Sequence, residues 1–142
     1  MNTACPFCSI TQGKLPASII YEDKNVLAFM DLNPVNTGHT LVASKNHYEN
    51  IYETPENVLS EMVAVAKKIS AAVKKTVNAD GISIVQLNGK AAGQVVMHIH
   101  IHVIPKFSED STSKARIMRH QGEITQKREA LDEIAQRIRE NL

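Results

Sequence analysis

The sequence predicts an α+β domain on a five-stranded antiparallel sheet, with one long helix, a short N-terminal helix and a C-terminal helix. Three observations carry that expectation. Three strand-like runs follow one another early in the chain with short connections, which favours hairpins over alternating crossovers. A single stretch of helical periodicity, about six turns long, separates them from two further strands. The last of those, Met97–Pro105, alternates apolar residues with histidine, the period-two signature of a strand with two different faces.

The bulk composition narrows the class before any motif is considered. A length of 142 residues fits one domain, and 43% hydrophobic with 22% charged residues argues against disorder. The net charge of +1 gives no electrostatic case for a nucleic-acid or membrane-surface partner. Apolar runs fall well short of the roughly 18 residues that span a bilayer. Met1–Pro16 has no basic region followed by an apolar stretch, so no signal peptide is expected and the cytoplasm is the expected location.

Taken in order, Cys5-Pro-Phe-Cys8 opens the chain and a short helical turn, Ser9–Gly13, follows. C-x-x-C is the half-site spacing of a tetrahedral zinc site, though a redox pair or two buried cysteines share it. The absence of a surrounding βαβ pattern counts against the redox reading. Ser18–Glu22 and Val26–Met30 read as a hairpin across the polar turn Asp23-Lys24-Asn25. Pro34 stops the second ladder and leaves Asp31 at a strand end beside a loop, a suitable place for a ligand-contacting carboxylate or a turn-forming one. Thr40–Ser44 is the third strand, with His39 at its start and His47 just past its end.

Thr54 and Pro55 read as N-cap and first residue of the long helix, with Val58, Met62, Val65, Ile69, Val73 and Val77 on its apolar stripe. Ile82–Leu87 is the fourth strand. The loop Asn88–Gln94 then brings two glycines and few bulky side chains, so its backbone could approach an anion closely. After Pro105, the polar segment Ser108–Ser113 reads as a flexible connection. A final helix is expected from Thr125 with Leu131, Ile134, Ala135, Ile138 and Leu142 on one stripe.

The histidine strand places Met97, Ile99, Ile101 and Val103 on a core face. His98, His100 and His102 fall on the other face, roughly 6.5–7 Å apart. Two chemistries compete for them: ligation of a catalytic metal with an open water position, or nucleophilic attack by one imidazole assisted by its neighbours. Cys5 and Cys8 with two of His39, His47 and His98 would close a structural site at one end. His100 and His102 would then be free for chemistry.

The run His98-Ile-His100-Ile-His102-Val-Ile resembles the signature of the histidine triad (HIT) family of nucleotide hydrolases and transferases. The resemblance extends over Cys5–Phe107 through Phe29-Met-Asp31-Leu-Asn-Pro34, Gly38-His39, Asn88 and Gly93-Gln94. It is nearest the small phosphoramidase-like branch, in its zinc-bearing bacterial form. It implies a HIT-like fold with residues 1–107 as the HIT domain, and 108–142 adding a connection and a helix to the same domain.

The resemblance also implies site roles. His100 would be the nucleophile toward the α-phosphate of a nucleotidylated substrate, giving a covalent nucleotidyl-histidine that water hydrolyses. His102 would contact phosphate oxygens, with His39 supporting the triad. Asn88 and the Gly93-Gln94 backbone would hold the phosphate, and Asp31 the ribose. Phe7, Ile10, Phe29 and Leu32 would form a slot for a purine base. One structural zinc per chain would sit on Cys5, Cys8, His47 and His98, and the chain would form a homodimer. Val95 stands where the branch has a serine that assists the leaving group. Met97 replaces the branch's aromatic, and the tail lacks the tryptophan of some relatives. Two other readings are a nucleotide-binding scaffold with incidental hydrolysis, and a metallohydrolase with the triad as catalytic zinc ligands.

Overall fold

The computed structural model describes residues 4–108 and 120–142. Helix α1 (Pro6–Thr11) is followed by strands β1 (Ile19–Glu22), β2 (Val26–Met30) and β3 (Thr40–Ser44). The long helix α2 (Glu56–Val77), β4 (Gly81–Gln86), a 3-10 turn (Lys90–Ala92), β5 (His100–Lys106) and helix α3 (Arg128–Glu140) complete the chain. The five strands form one antiparallel sheet in the order β1-β2-β3-β5-β4. This is the α+β architecture expected from the strand-rich, hairpin-like order.

Strand alternation divides the sheet into two packed faces. Val26, Ala28 and Met30 of β2, Val42 of β3, and Ile101 and Val103 of β5 pack against the apolar stripe of α2 and against Leu131, Ala135 and Ile138 of α3. Leu27, Phe29, Leu41 and Ala43 face the opposite way, where Cys5, Phe7 and Cys8 of the α1 region cover them. The β3–β5 register pairs Leu41 with His102 and Ala43 with His100. Paired residues share a face, so both histidines lie on the α1 side of the sheet.

Strands β1 and β4 differ from the expected ranges by single residues at their ends, and boundaries of β5, α1, α2 and α3 differ as well. Strand β5 begins at His100, so Met97 and His98 lie in a bend before it, and Met97 is only partly buried. That bend is fixed by the Ile99 amide donating to the Tyr48 carbonyl at 2.7 Å. Helix α1 begins at Pro6 and so carries Cys8 inside it, with Cys5 as its N-cap. Pro55, not Thr54, takes the N-cap position of α2, because the Thr54 hydroxyl donates to the Asn50 carbonyl at 2.8 Å. Helix α3 starts at Arg128 rather than Thr125, and Leu142 lies exposed beyond its end. The expected polar connection falls almost entirely at 109–119, outside the described residues. Among the described residues no helix is long and apolar enough to cross a membrane.

Candidate active site

The α1 side of the sheet carries two adjacent constellations joined by β5. At the start of the strand, Cys5, Cys8, His47 and His98 bring their ligand atoms within 4.8 Å of one another. Both cysteines are buried free thiols. His98 Nδ1 lies 3.4 Å from Cys5 Sγ and 3.6 Å from Cys8 Sγ, and His47 Nδ1 lies 3.3 Å from Cys8 Sγ. Those spacings suit zinc, since bonds of about 2.3 Å to sulfur and 2.0 Å to nitrogen give tetrahedral edges of roughly 3.5 Å. The neighbouring contacts agree. His98 Nε2 donates to the Ser44 carbonyl at 2.7 Å, which leaves the Nδ1 lone pair aimed at the sulfurs. Burial lowers the His98 pKa to about 4, keeping the neutral form a metal requires. Two thiolates and two imidazoles form a closed ligand set, which suits a structural ion.

Further along β5, hydrogen bonds define which nitrogen of each triad imidazole carries its proton. His100 Nδ1 faces the His98 carbonyl at 2.7 Å and must donate to it. Its lone pair is therefore on Nε2. On His39, Nδ1 accepts from the Val35 amide at 3.0 Å, so Nε2 is the protonated nitrogen. That Nε2–H reaches His102 Nδ1 at 3.0 Å and stands 3.4 Å from Asp31 Oδ2. His102 thus accepts on Nδ1 and carries its own proton on Nε2. Asp31, His39 and His102 also lie close enough together to suggest a metal site. The proton on His39 Nε2 makes them a hydrogen-bonded relay instead.

Burial sets the charge of this relay. His39 and His102 are both lowered to about 3, chiefly by desolvation and then by neighbouring imidazoles, and burial also lowers His100. All three are neutral near pH 7. Desolvation raises the Asp31 carboxyl to about 6, against the opposing pull of the Asn33 amide at 2.8 Å.

These shifts predict acid lability with a definite sign. Between pH 6.5 and 3 the unfolded chain binds protons that native His39 and His102 refuse, so each removes about 1.4 kcal/mol of stability per pH unit as pH falls. Asp31 acts oppositely: its stability contribution is full below 3.8 and lost as pH rises through 6. From pH 7 to 5 these three groups should cost on the order of 3 kcal/mol, and the lowered His98 and His100 add to that loss, so the fall should be at least this large. Urea unfolding at both pH values measures it, and His102→Gln should flatten the slope. Equal stability at the two pH values would contradict these assignments.

The triad opens onto a cavity of about 330 Å³, within the range of small-molecule sites. Phe7, Ile10, Phe29, Leu32 and Leu41 form an apolar wall, with Asp31, Gly93, Val95, His100 and His102 around it. Phe7 sets its ring edge-to-face against Phe29 and His100, with centroids 5.2 and 5.0 Å apart, so the first turn of α1 shapes the cavity beside the triad.

Asn88 and Gln94 sit otherwise than expected. The Asn88 amide is committed to Gln86 in both directions and accepts from the Ile51 amide, and Asn88 does not line the cavity. The backbone amides of Gly93 and Gln94 donate to the Lys90 and Gly89 carbonyls within their own loop. The buried Gln94 side chain ties Gly89 to the Glu49 and Val96 carbonyls. The expected phosphate cradle is therefore a braced loop whose internal bonds use these donors. His120, Gln121 and Arg128 also line the cavity. Sequence reasoning missed them because they come from a polar tail that carries no motif.

Comparison with known proteins places this geometry. The sequence matches the HIT domain family over residues 12–109. It is 47% identical over 106 residues to an uncharacterised HIT-like protein of Methanocaldococcus jannaschii, covering 75% of this chain and 81% of that one. An adenylylsulfatase of Arabidopsis thaliana is 39% identical over 110 residues, which are 78% of this chain and 56% of the relative. The crystal structure of a zinc-bound histidine triad family protein from Mycobacterium smegmatis aligns with a TM-score of 0.82 at 35% identity, over 97% of this chain and 92% of that one. The chain belongs to the histidine triad family, within its nucleotide-binding hydrolase and transferase superfamily.

Proposed function

We propose that this protein is a nucleotide hydrolase that cleaves at the α-phosphate of a purine nucleotide carrying a leaving group, through a covalent nucleotidyl-His100. The observation that carries this reading is the His100 tautomer. Its Nδ1–H is held by the His98 carbonyl at 2.7 Å, so the nucleophilic lone pair is on Nε2 of a neutral residue lining the cavity.

In the first step, His100 Nε2 attacks the α-phosphorus and the bond to the leaving group breaks, the leaving group departing with the electron pair. The ring becomes cationic, and its Nδ1–H is already directed at a carbonyl dipole that stabilises the charge. His102 donates its Nε2–H to a non-bridging phosphate oxygen, because the His39 relay fixes that tautomer. Water then attacks phosphorus and releases a proton to solvent, which returns one to the departed leaving group, the N–P electrons return to imidazole, and the nucleoside monophosphate leaves. Asp31 receives the ribose hydroxyls, and Phe7, Ile10, Phe29 and Leu32 hold the base.

Cys5, Cys8, His47 and His98 hold one structural zinc per chain in this reading, which anchors α1 and the bend before β5. Strand β4 forms a sheet edge and exposes Ile84, which supports a homodimer pairing sheets across a two-fold axis. The proposed location is the cytoplasm. The adenylylsulfatase relative supports an adenylylated substrate. A turnover screen with a nucleoside phosphoramidate, adenylylsulfate and a dinucleoside polyphosphate tests the reading. Monophosphate release from at least one of them, lost in His100→Ala, is expected; release from none would overturn it.

Val95 lines the cavity with 64% of its surface exposed, so a serine fits there without cost to the core. A hydroxyl beside the leaving group should raise kcat, since single donors of this kind are worth roughly 10²-fold. Val95→Ser with unchanged turnover would remove residue 95 from the leaving-group side.

A further inference from the structure

The mechanism leaves the departing half of the substrate without a polar partner at residue 95, which is valine. The C-terminal segment faces that side. His120 and Gln121 line the cavity, and the His120 ring centroid lies 6.4 Å from that of His102. His120 packs on the loop that carries Val95: its Nε2 lies 2.8 Å from the position a Cβ on Gly93 would take. A side chain at that position would push the imidazole aside, and the Gly93 φ of 97° favours glycine there, so the loop and the histidine are in contact.

His120 is held in place by a strap fastened on the loop after Asp31. The Gly122 amide donates to the Asn33 carbonyl, and the Gln126 amide to the Leu32 carbonyl, each at 2.9 Å. The Asn33 side-chain amide donates to the Thr125 hydroxyl at 2.9 Å. Gly122 passes so close to the backbone that an added Cβ would collide with the Pro34 carbonyl and lie 2.6 Å from the Asn33 oxygen. The strap is seated by glycine at its tightest point.

We propose that His120, assisted by Gln121, forms the leaving-group wall of the active site and favours leaving groups that present anionic oxygens, such as a phosphate chain, over amines. The inference rests on the nucleotide-hydrolase reading. An imidazole N–H and a primary amide both donate to phosphate oxygens, whereas an amine leaving group offers no comparable acceptor. The substrate runs from the apolar base slot to His100 and His102 at the α-phosphate, and His120 stands beside His102, against Gly93 of the loop that carries Val95.

Equilibrium binding of AMP and of adenosine 5′-(α,β-methylene)diphosphate tests this without depending on turnover. The second ligand adds one anionic group where the leaving group would lie. In His120→Ala its affinity should fall roughly tenfold while AMP stays within about twofold, as expected for losing one charge-assisted hydrogen bond. His120→Gln, which keeps a donor, should recover part of the loss. Equal losses for both ligands, or no loss for either, would overturn the assignment of His120 while leaving the nucleotide reading intact. A wild-type protein that bound neither ligand would overturn the nucleotide reading itself, and this inference with it.

Discussion

His100→Ala should lower kcat by at least about 10⁴-fold, the scale of removing a covalent nucleophile. Nucleotide affinity should change only a few-fold. The two effects separate because the residues proposed to bind and those proposed to react come from different elements. The base slot rests on α1, β2 and the loop after β2, and Asp31 directly follows β2, whereas His100 belongs to β5. His102→Ala should fall in between, at roughly 10²–10³-fold, because it removes one phosphate donor and leaves the nucleophile in place. Steady-state kinetics with a substrate from the turnover screen, beside AMP binding to each variant, checks the separation. If His100→Ala retained a tenth of wild-type turnover, attack by His100 would be wrong.

Removing the metal should be the largest single blow to stability. Zinc that binds only the folded chain adds about 4 kcal/mol when its free concentration is a thousand times Kd. For a domain of this length that corresponds to a Tm difference of roughly 10 °C. Purified protein should contain one zinc per chain, and Cys8→Ser or chelation should remove it and lower Tm accordingly. The change should reach the active site as well. His98 contributes its side chain to the metal cluster and its carbonyl to His100 Nδ1, and Phe7 packs on both His98 and His100. Protein with the same Tm with and without a chelator would mean the four residues hold no structural ion.

Much of this site is legible in the sequence because a strand's period of two fixes which histidines share a face. The C-x-x-C pair beside a short helical turn also declares its spacing. What alternation does not show is that β5 stops short of His98. The Ile99 amide bonds to Tyr48 instead of a ladder partner, and the resulting bend delivers His98 to the cysteines. Spacing alone leaves His39 and His47 both open as members of that cluster; the family resemblance names His47, and the geometry agrees. His39 pairs with His102 at 3.0 Å, while His47 reaches Cys8 Sγ at 3.3 Å. Asn88 and the Gly93-Gln94 backbone suit a phosphate loop, but bonds to Gln86 and to the Lys90 and Gly89 carbonyls compete for the same donors and occupy them here. His120 was invisible for the opposite reason. It carries no periodicity, and only the strap over Asn33 and Pro34 brings it to the cavity.

The covalent step can be observed directly by mixing enzyme with a radiolabelled adenylylated substrate, quenching under alkaline conditions that preserve phosphoramidates, and mapping the modified peptide by mass spectrometry. Attack by His100 predicts an adenylyl group on the peptide containing Met97–Lys106, located at His100, acid-labile and absent from His100→Ala. Turnover of the same substrate with no label on any histidine, or with the label on another residue, would contradict it.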